Sequence, residues 1–362
     1  MSPARPPEGA NSLSEGQGRR PKGAPVSPAR PPEGANSLSE GQGRRPKGAP
    51  VTRQDIDAAA ARCAPHEGAF LRRTPLWKLP GAALGVSCGE VWLKLEHLQV
   101  GGSFKARGML NRLLANPIPA SGVIVASGGN AGIATAAAAR RLGVRCEVFV
   151  PTVCSPAKQA KLRELGAQVV VGGDVYAQAL EASIERQRCT GALVTHAYDQ
   201  PEVVAGAGTL AREIEAQGGR PDTVLVSVGG GGLVAGIASW FRREARVVAL
   251  EPELAPTLHA ARQAGEPVDV AVGGVAADSL GAKRIGSIAW DVAREHVPDA
   301  LLLPDAAIRE AQLALWKDFK LAVEPAAALG LAALRTGAYR PAAGEQVCLV
   351  LCGANLDPAA LS

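Results

Sequence analysis

The hydrophobic and polar positions of residues 52–362 fall into two alternating patterns. Short apolar runs rich in β-branched residues predict buried strands at 123–127, 146–151, 168–173, 192–197, 223–228, 246–252 and 347–353. Ala- and Leu-rich stretches between them predict helices, for example at 133–143, 156–166 and 233–244. Apolar strands without alternation are typical of parallel sheets that helices cover on both faces. The pattern therefore predicts an α/β fold built from doubly wound parallel sheets.

The order of these elements predicts two domains in the body of the chain. Residues 102–198 form the small domain in this prediction, and residues 52–101 and 199–362 form the large domain. A body of this length suits one enzyme with two lobes.

The first 51 residues differ from the body. Residues 2–26 recur without a change at 27–51, and they are rich in Pro, Gly, Ser, Ala and Arg without a periodic apolar face. Such a segment cannot bury enough surface to offset its ordering entropy, so we predict a disordered tail. It has no apolar run of the kind that a signal peptide needs. A basic arm that contacts an acidic partner is the alternative.

The charge of the body gives no reason to expect nucleic acid or a membrane surface as a partner. The tail carries eight Lys or Arg and four Glu, which accounts for +4 of the formal net charge of +5. The body is therefore nearly neutral. It also has no apolar run near the roughly 20 residues that a membrane-spanning helix requires.

The cysteines and histidines predict neither disulfides nor a metal site. The seven cysteines are odd in number and lack CxxC or zinc spacing, and the five histidines are isolated in the sequence. We expect reduced thiols in a cytoplasmic protein.

A lysine at the start of a predicted helix is the first candidate for chemistry. Lys105 follows two glycines in the segment GGSFKARG, at residues 101–108. A cation in the first turn opposes the helix dipole, so stability alone does not favour it there. A desolvated lysine with a lowered pKa can form a Schiff base. Most lysines are solvated surface charges, which is the alternative interpretation.

Two glycine-containing turns that follow predicted strands are candidate anion sites. The first is SGGNAG, at residues 127–132, and a tight turn with a Ser or Asn cap is its structural alternative. The second is the run of four glycines Gly229–Gly232, here called the glycine loop. Backbone amides at a helix N-terminus favour phosphate or carboxylate. The glycine loop lacks the Walker spacing, although Glu251 lies near the place of a dinucleotide-type acidic residue.

A cysteine ends the last predicted strand. Cys352 lies in the segment LCGAN, at residues 351–355. Its thiol is either core filler or a weak donor that faces the ring nitrogen of a cofactor.

Six segments, in this order, resemble motifs of the serine/threonine dehydratase family of fold-type II pyridoxal-phosphate enzymes, whose fold is like that of tryptophan synthase β. They are GSFKARG, SGGNAG, SVGGGGL, SLGAKRIG, VEPAAALG and LCGAN, and the resemblance extends over roughly residues 55–356. It implies a homodimer with pyridoxal 5'-phosphate as cofactor, bound in the large domain.

The resemblance also implies a role for each candidate residue. Lys105 would hold the cofactor as a Schiff base and remove the Cα proton, and Phe104 would pack against the pyridine ring. Asn130 would bond the ring hydroxyl oxygen, and Cys352 would lie beside the ring nitrogen. The cofactor phosphate would be held by Gly229, Gly230, Gly231, Gly232 and Leu233. The substrate carboxylate would be held by Ser127, Gly128, Gly129 and Ala131.

The implied reaction is α,β-elimination from L-serine or L-threonine, which yields pyruvate or 2-oxobutyrate and ammonia. A neutral thiol at the ring nitrogen favours early loss of a β-leaving group. The motifs look most like the L-serine dehydratase branch. A racemase, a hydroxyaspartate dehydratase and a β-replacement enzyme of the same fold are alternatives. A silent cofactor-binding or nucleotide-binding protein is another, although Lys105 together with the glycine loop argues against it.

Glu324 lies in one of the resembling motifs, directly before Pro325. A glutamate before proline also marks the start of a helix, so we interpret it as structural.

Overall fold

The computed structural model describes residues 50–361. The predicted disordered tail lies outside these residues, apart from its last two positions. Val51, one of those two, is 4 % exposed and packs in the hydrophobic core. Thr52 then caps the first helix, because its side chain accepts from the backbone of Asp55 while the Asp55 carboxylate accepts from the backbone N–H of Thr52. Val51 is therefore part of the packed body, although the prediction places it in the tail.

Ten strands form two sheets. The strands are β1 (Leu76–Pro80), β2 (Glu90–Lys94), β3 (Val123–Ala126), β4 (Cys146–Val150), β5 (Gln168–Val171), β6 (Leu193–Thr195), β7 (Thr223–Ser227), β8 (Arg246–Pro252), β9 (Asp299–Leu303) and β10 (Gln346–Val350). The larger sheet has the order β1-β2-β10-β7-β8-β9, and only its β1–β2 pair is antiparallel. The smaller sheet has the order β5-β4-β3-β6 and is parallel throughout.

The α-helices of the described residues alternate with these strands. They are α1 (Arg53–Cys63), α2 (Lys105–Leu114), α3 (Asn130–Leu142), α4 (Pro156–Glu164), α5 (Tyr176–Thr190), α6 (Pro201–Gly218), α7 (Gly232–Phe241), α8 (Thr257–Ala264), α9 (Ser287–His296), α10 (Asp305–Phe319) and α11 (Pro325–Thr336). None of the helices within 50–361 is both long and apolar enough to cross a membrane.

The prediction of an α/β fold with parallel sheets is confirmed. All seven predicted strands are present, and most are shorter than predicted. The buried strands β3, β4 and β7 have no exposed position, as expected for strands with helices on both faces. The apolar-run pattern does not predict β1, β2 or β9. β1 forms the antiparallel edge, none of its positions is buried, and Lys78 interrupts its apolar residues, so it has no continuous apolar run.

The topology brings the candidate loops to the carboxyl ends of strands. SGGNAG follows β3, the glycine loop follows β7 after one residue, and Cys352 follows β10 after one residue. β7 and β10 are neighbours in the larger sheet, so their following loops leave the sheet side by side. Ligands of open α/β folds bind at this edge.

Candidate active site

Lys105 is the first residue of α2, and its amine is withdrawn from water. Its Nζ donates to the carbonyl oxygen of Ala197 at 2.7 Å. Desolvation by burial lowers the pKa of Lys105 to about 8, against the opposing effects of Cys352 and Glu324. A substantial fraction of the amine is therefore neutral near neutral to mildly basic pH, as a nucleophile or base requires.

Phe104 and Cys352 lie next to this amine. The backbone N–H of Phe104 donates to the carbonyl oxygen of Cys352 at 3.1 Å, and Ser103 and Gly353 form an antiparallel bridge. The Lys105 Nζ lies 4.9 Å from the centroid of the Phe104 ring. Cys352 is buried, and burial together with the nearby Glu324 raises the pKa of its thiol. The thiol is therefore neutral.

A buried ionic cluster holds α2 two residues beyond the candidate lysine. Arg107 pairs with Glu96 at 2.6 Å and with Glu213 at 3.0 Å, and Lys94 pairs with Glu213 at 2.5 Å. Although burial opposes ionisation, Arg107 keeps the pKa of Glu96 below its usual range. The cluster balances two positive and two negative side chains, so it fixes the start of α2 without a net charge.

Tyr198 explains why two positions of the glycine loop, Gly230 and Gly232, cannot carry side chains. A Cβ at Gly230 would lie 2.2 Å from the Tyr198 ring, and one at Gly232 would lie 2.9 Å from the Tyr198 carbonyl oxygen. Gly231 has φ +86° and precedes α7, where no side chain caps the helix. No side chain caps the backbone amides at the start of α7, so this turn has the chemistry that suits an anion.

A threonine on α8 forms a hydrogen bond with the first residue of the glycine loop. Thr257 Oγ1 donates to the carbonyl oxygen of Gly229 at 2.6 Å and lies 3.0 Å from Glu251 Oε1. The Glu251 carboxylate also accepts from the backbone N–H groups of Leu258 and His259, at 2.7 and 2.8 Å. Glu251 is fully buried and occupied by α8, so it does not serve as the acidic residue of a dinucleotide site.

The segment after β6 links the lysine to the glycine loop. Ala197 accepts from Lys105, and the next residue is the Tyr198 that packs on the glycines. His196 Nδ1 accepts from the backbone N–H groups of Asp199 and Tyr198, at 3.0 and 3.4 Å. Burial lowers the pKa of His196, so the ring is neutral with its proton on Nε2. Sequence reasoning missed this segment, although it ends a predicted strand as the other candidate loops do.

The turn after β3 requires small residues. A Cβ at Gly132 would lie 1.8 Å from the Ser127 carbonyl oxygen, and one at Gly128 would lie 2.8 Å from the Cys154 sulfur. Gly129 precedes α3, whose N-terminus has no side-chain cap. The backbone N–H of Gly129 donates to Ser127 Oγ at 3.3 Å. The backbone amides in the first turn of α3, which includes Asn130 and Ala131, therefore have no side-chain cap.

Asn130 lies between Glu324 and Asn355. Asn130 Nδ2 donates to the two Glu324 carboxylate oxygens, at 2.9 and 3.1 Å, and Asn130 Oδ1 accepts from Asn355 Nδ2 at 2.6 Å. Burial raises the pKa of Glu324 to about 7. The prediction that Glu324 precedes a helix is confirmed, since α11 begins at Pro325, but its carboxylate does not cap that helix. The bond to Asn130 joins residues 194 positions apart, so no local pattern predicts it.

The structure brings the candidate residues together in two groups. The first group contains Phe104, Lys105 and Cys352, which are neighbours. The segment after β6 contacts this group through Ala197 and the glycine loop through Tyr198. The turn after β3 is joined to the same region through Asn130 and Glu324. Among the described residues, no group of three or more His, Cys, Asp or Glu side chains is placed to hold a metal ion.

Comparison with known proteins identifies the family. The family model described as "Pyridoxal-phosphate dependent enzyme" matches residues 68–353. The L-threonine ammonia-lyase of Geobacter sulfurreducens is 37 % identical over 277 residues, which cover 75 % of this chain and 69 % of that protein. The phenylserine dehydratase of Ralstonia pickettii is 34 % identical over 302 residues, which cover 80 % of this chain and 90 % of that protein.

A solved structure of a related enzyme has the same fold. The crystal structure of the T.th. threonine deaminase superposes with a TM-score of 0.77 at 36 % identity, over 84 % of this chain and 99 % of that one. The predicted fold-type II architecture and the predicted cofactor class are thus confirmed. This chain belongs to the serine/threonine dehydratase family of pyridoxal-phosphate-dependent enzymes.

Proposed function

We propose that this protein is an ammonia-lyase that eliminates water and then ammonia from L-serine or L-threonine, giving pyruvate or 2-oxobutyrate. The observation that carries the proposal is the amine of Lys105, which burial gives a pKa of about 8. It lies near the neutral thiol of Cys352 and donates to Ala197, the neighbour of the Tyr198 that packs on the glycine loop. The names of the related ammonia-lyase and dehydratase support the reaction class.

The residues fit pyridoxal 5'-phosphate. A desolvated amine suits the aldehyde, and glycines packed too closely for any Cβ leave the amides of Gly229–Gly232 and Leu233 open to a phosphate. Phe104 provides an apolar face, and the neutral thiol of Cys352 suits a ring nitrogen that carries no proton.

When bound, the cofactor supplies an electron sink for charge that develops at the substrate Cα. Lys105 contributes a base of suitable pKa, so its Nζ accepts the Cα proton. In the protein without cofactor, a bond from its Nζ to the Ala197 carbonyl oxygen holds the side chain in place.

The turn after β3 binds the substrate carboxylate in this proposal. Ser127, Gly128, Gly129 and Ala131 surround the uncapped N-terminus of α3. Amides and the helix dipole both favour an anion there, and the absence of side chains on the two glycines permits close approach. This arrangement orients Cα toward Lys105.

The neutral thiol of Cys352 favours elimination over reactions that need a long-lived anion at Cα. A carboxylate at this position would stabilise a proton on the ring nitrogen and strengthen the electron sink, whereas a neutral thiol does not. Loss of the β-hydroxyl therefore follows Cα deprotonation readily. A racemase, a hydroxyaspartate dehydratase and a β-replacement enzyme share Lys105 and the glycine loop, so they remain the alternatives.

We also propose the finer features that the family resemblance implies. These are the L-serine dehydratase branch, a homodimer in the cytoplasm, and a small domain at 102–198 next to the large domain. In support of the last, β3 to β6 all lie within 102–198 and form the smaller sheet. Light scattering of the purified protein tests the dimer.

The activity test supplies purified holoprotein with L-serine, L-threonine or phenylserine and measures the 2-oxo acid produced. Lactate dehydrogenase with NADH detects pyruvate and 2-oxobutyrate, and a hydrazone assay detects the phenylserine product. Lys105→Ala is the blank. Turnover that depends on Lys105 supports the proposal and ranks the substrates. No 2-oxo acid from a folded, cofactor-loaded protein would refute it and favour the racemase or β-replacement alternatives.

A further inference from the structure

Four polar side chains form one hydrogen-bonded chain between α4 and the candidate active site. Lys161, on α4, donates from Nζ to Asn355 Oδ1 at 2.6 Å. Asn355 Nδ2 donates to Asn130 Oδ1 at 2.6 Å. Asn130 Nδ2 donates to Glu324, at 2.9 and 3.1 Å from its two oxygens.

The donor and acceptor groups of Lys161 and Gly101 determine which atom donates in each of these hydrogen bonds. A lysine ammonium has donors and no acceptor, so the atom of Asn355 that it contacts must be the oxygen. The Asn355 nitrogen therefore points the other way, and it also donates to the carbonyl oxygen of Gly101, an obligate acceptor, at 2.7 Å. Asn130 must then receive that bond through its oxygen.

One consequence is a free N–H on Asn130. Its amide nitrogen carries two N–H groups. The two oxygens of one carboxylate lie too close together for each to accept a straight hydrogen bond from a different N–H group of the same amide. Both Glu324 oxygens therefore accept from the same Asn130 N–H group. The second N–H is left for a ligand, and the oxygen of Asn130 is turned away and occupied.

We propose that Lys161, Asn355 and Glu324 are positioning residues that hold the Asn130 amide so that it presents an N–H, and not its oxygen, to the cofactor. This inference rests on the proposed function and on the role that the family resemblance implies for Asn130, a bond to the ring hydroxyl oxygen of the cofactor. An oxygen with negative charge attracts an N–H and repels a carbonyl oxygen, so the orientation of the amide decides whether Asn130 helps or hinders binding.

The setting of Glu324 is consistent with this role. The residue is 4 % exposed, and the groups that face it are Lys105 from α2, Asp278 from the segment after α8, and Cys352 after β10. Its carboxylate accepts from Asn130 and does not cap its own helix. A glutamate with only a helix-start role would direct its carboxylate to α11.

The test compares Asn355→Asp with Lys161→Met, and Lys158→Met is the matched control. Asp at 355 has no donor for Asn130, so the amide of Asn130 is expected to reverse. Lys158 lies three residues before Lys161 on α4 and pairs with Asp278, at 2.9 Å, instead of Asn355. For each variant, apoprotein is titrated with pyridoxal 5'-phosphate, and the visible absorption spectrum of the holoprotein is recorded across pH.

We expect Asn355→Asp to weaken cofactor binding roughly 10- to 100-fold, as for the loss of one hydrogen bond to a charged group, and to shift the pH dependence of the spectrum. Lys161→Met should weaken binding about two- to fivefold, because its contact is exposed. Lys158→Met should leave both quantities as in the wild type. Wild-type Kd and spectrum for both Asn355→Asp and Lys161→Met would overturn the inference.

Two further comparisons keep the test decisive. Glu324→Ala removes the acceptor and should reproduce the weakened binding, whereas Glu324→Gln keeps an acceptor oxygen and should restore most of it. Equal binding by these two variants and the wild type would contradict the inference, even where Asn355→Asp fails to fold. A wild-type protein that binds no cofactor, or a Lys105→Ala variant with an unchanged spectrum, would instead refute the proposed function.

Discussion

The hydroxyl of Thr257 donates a 2.6 Å hydrogen bond to the carbonyl oxygen of Gly229, so a residue of α8 holds the first glycine of the glycine loop. The same hydroxyl lies 3.0 Å from the buried carboxylate of Glu251. The conformation of the glycine loop is therefore supported by a hydrogen bond to one of its carbonyl oxygens and not to its amides.

Replacing this hydroxyl should weaken cofactor binding. Thr257→Val keeps the shape of the side chain but removes the donor to the Gly229 carbonyl oxygen. An unsatisfied buried group costs about 1–3 kcal/mol, so we expect the Kd for pyridoxal 5'-phosphate to rise by about tenfold or more. Thr336→Val is the control, because its hydroxyl bonds to backbone groups of Ala332, Ala333 and Ala338 at the end of α11 and to none of the glycine loop. Equal Kd values for the two variants would contradict the role of Thr257.

A methyl group on the glycine loop should collide with Tyr198. The added Cβ in Gly230→Ala would lie 2.2 Å from the Tyr198 ring, so the ring or the loop must move. We expect a loss of about 1–3 kcal/mol in the free energy of unfolding, as for overpacking elsewhere, and a weaker cofactor complex. Gly172→Ala has open space around its Cβ and serves as the control. If Gly230→Ala unfolds in urea like the control, the close packing is wrong.

The lowered pKa of Lys105 should appear in the pH dependence of apoprotein stability. The ordinary pKa of 10.5 applies in the unfolded chain, whereas burial lowers the pKa to about 8 in the folded protein. The unfolded state therefore binds more protons between pH 8 and 10.5, and the free energy of unfolding rises with pH across that window.

Lys105→Met removes this titration. At pH 7 the variant apoprotein should be more stable than the wild type, by an amount on the order of 1–3 kcal/mol, and the difference should shrink as pH rises from 8 to 10. Urea denaturation of both apoproteins across this range measures it. Parallel stability profiles would mean that the amine is not desolvated.

The buried ionic cluster should be essential for the start of α2. Glu96→Gln leaves the charge of Arg107 partly uncompensated in a site where both side chains are at most 5 % exposed. Removing one partner of such a pair costs about 3–5 kcal/mol. Glu147→Gln breaks a pair whose arginine, Arg186, is 47 % exposed, and it should cost less than about 1 kcal/mol. Similar urea midpoints for the two variants would contradict the distinction.

The sequence predicts those parts of this protein that depend on local pattern. The buried strands are apolar runs, and candidate loops closely follow three of them, so the location of Cys352 and the glycine loop at one edge of the larger sheet follows from parallel topology. Strand β1 has no such run because it lies at an antiparallel edge.

The supports of the site could not be predicted in the same way. Thr257 contacts Gly229 across 28 positions, and Asn355 contacts Asn130 across 225. No periodicity or spacing encodes such contacts, because they form only when separate elements pack. Glu324 illustrates the limit: its position before Pro325 correctly predicts a helix start, yet its carboxylate turns to a residue 194 positions away.

The assignment of Lys105 is tested most directly by identifying the residue that binds the cofactor. Holoprotein is reduced with borohydride, which makes the link between pyridoxal 5'-phosphate and an amine permanent, and its peptides are analysed by mass spectrometry. We predict a single phosphopyridoxyl group, on the peptide that contains Lys105, and none in Lys105→Ala. A modification on another lysine, or equal labelling of the variant, would contradict the assignment of Lys105 and the reaction built on it.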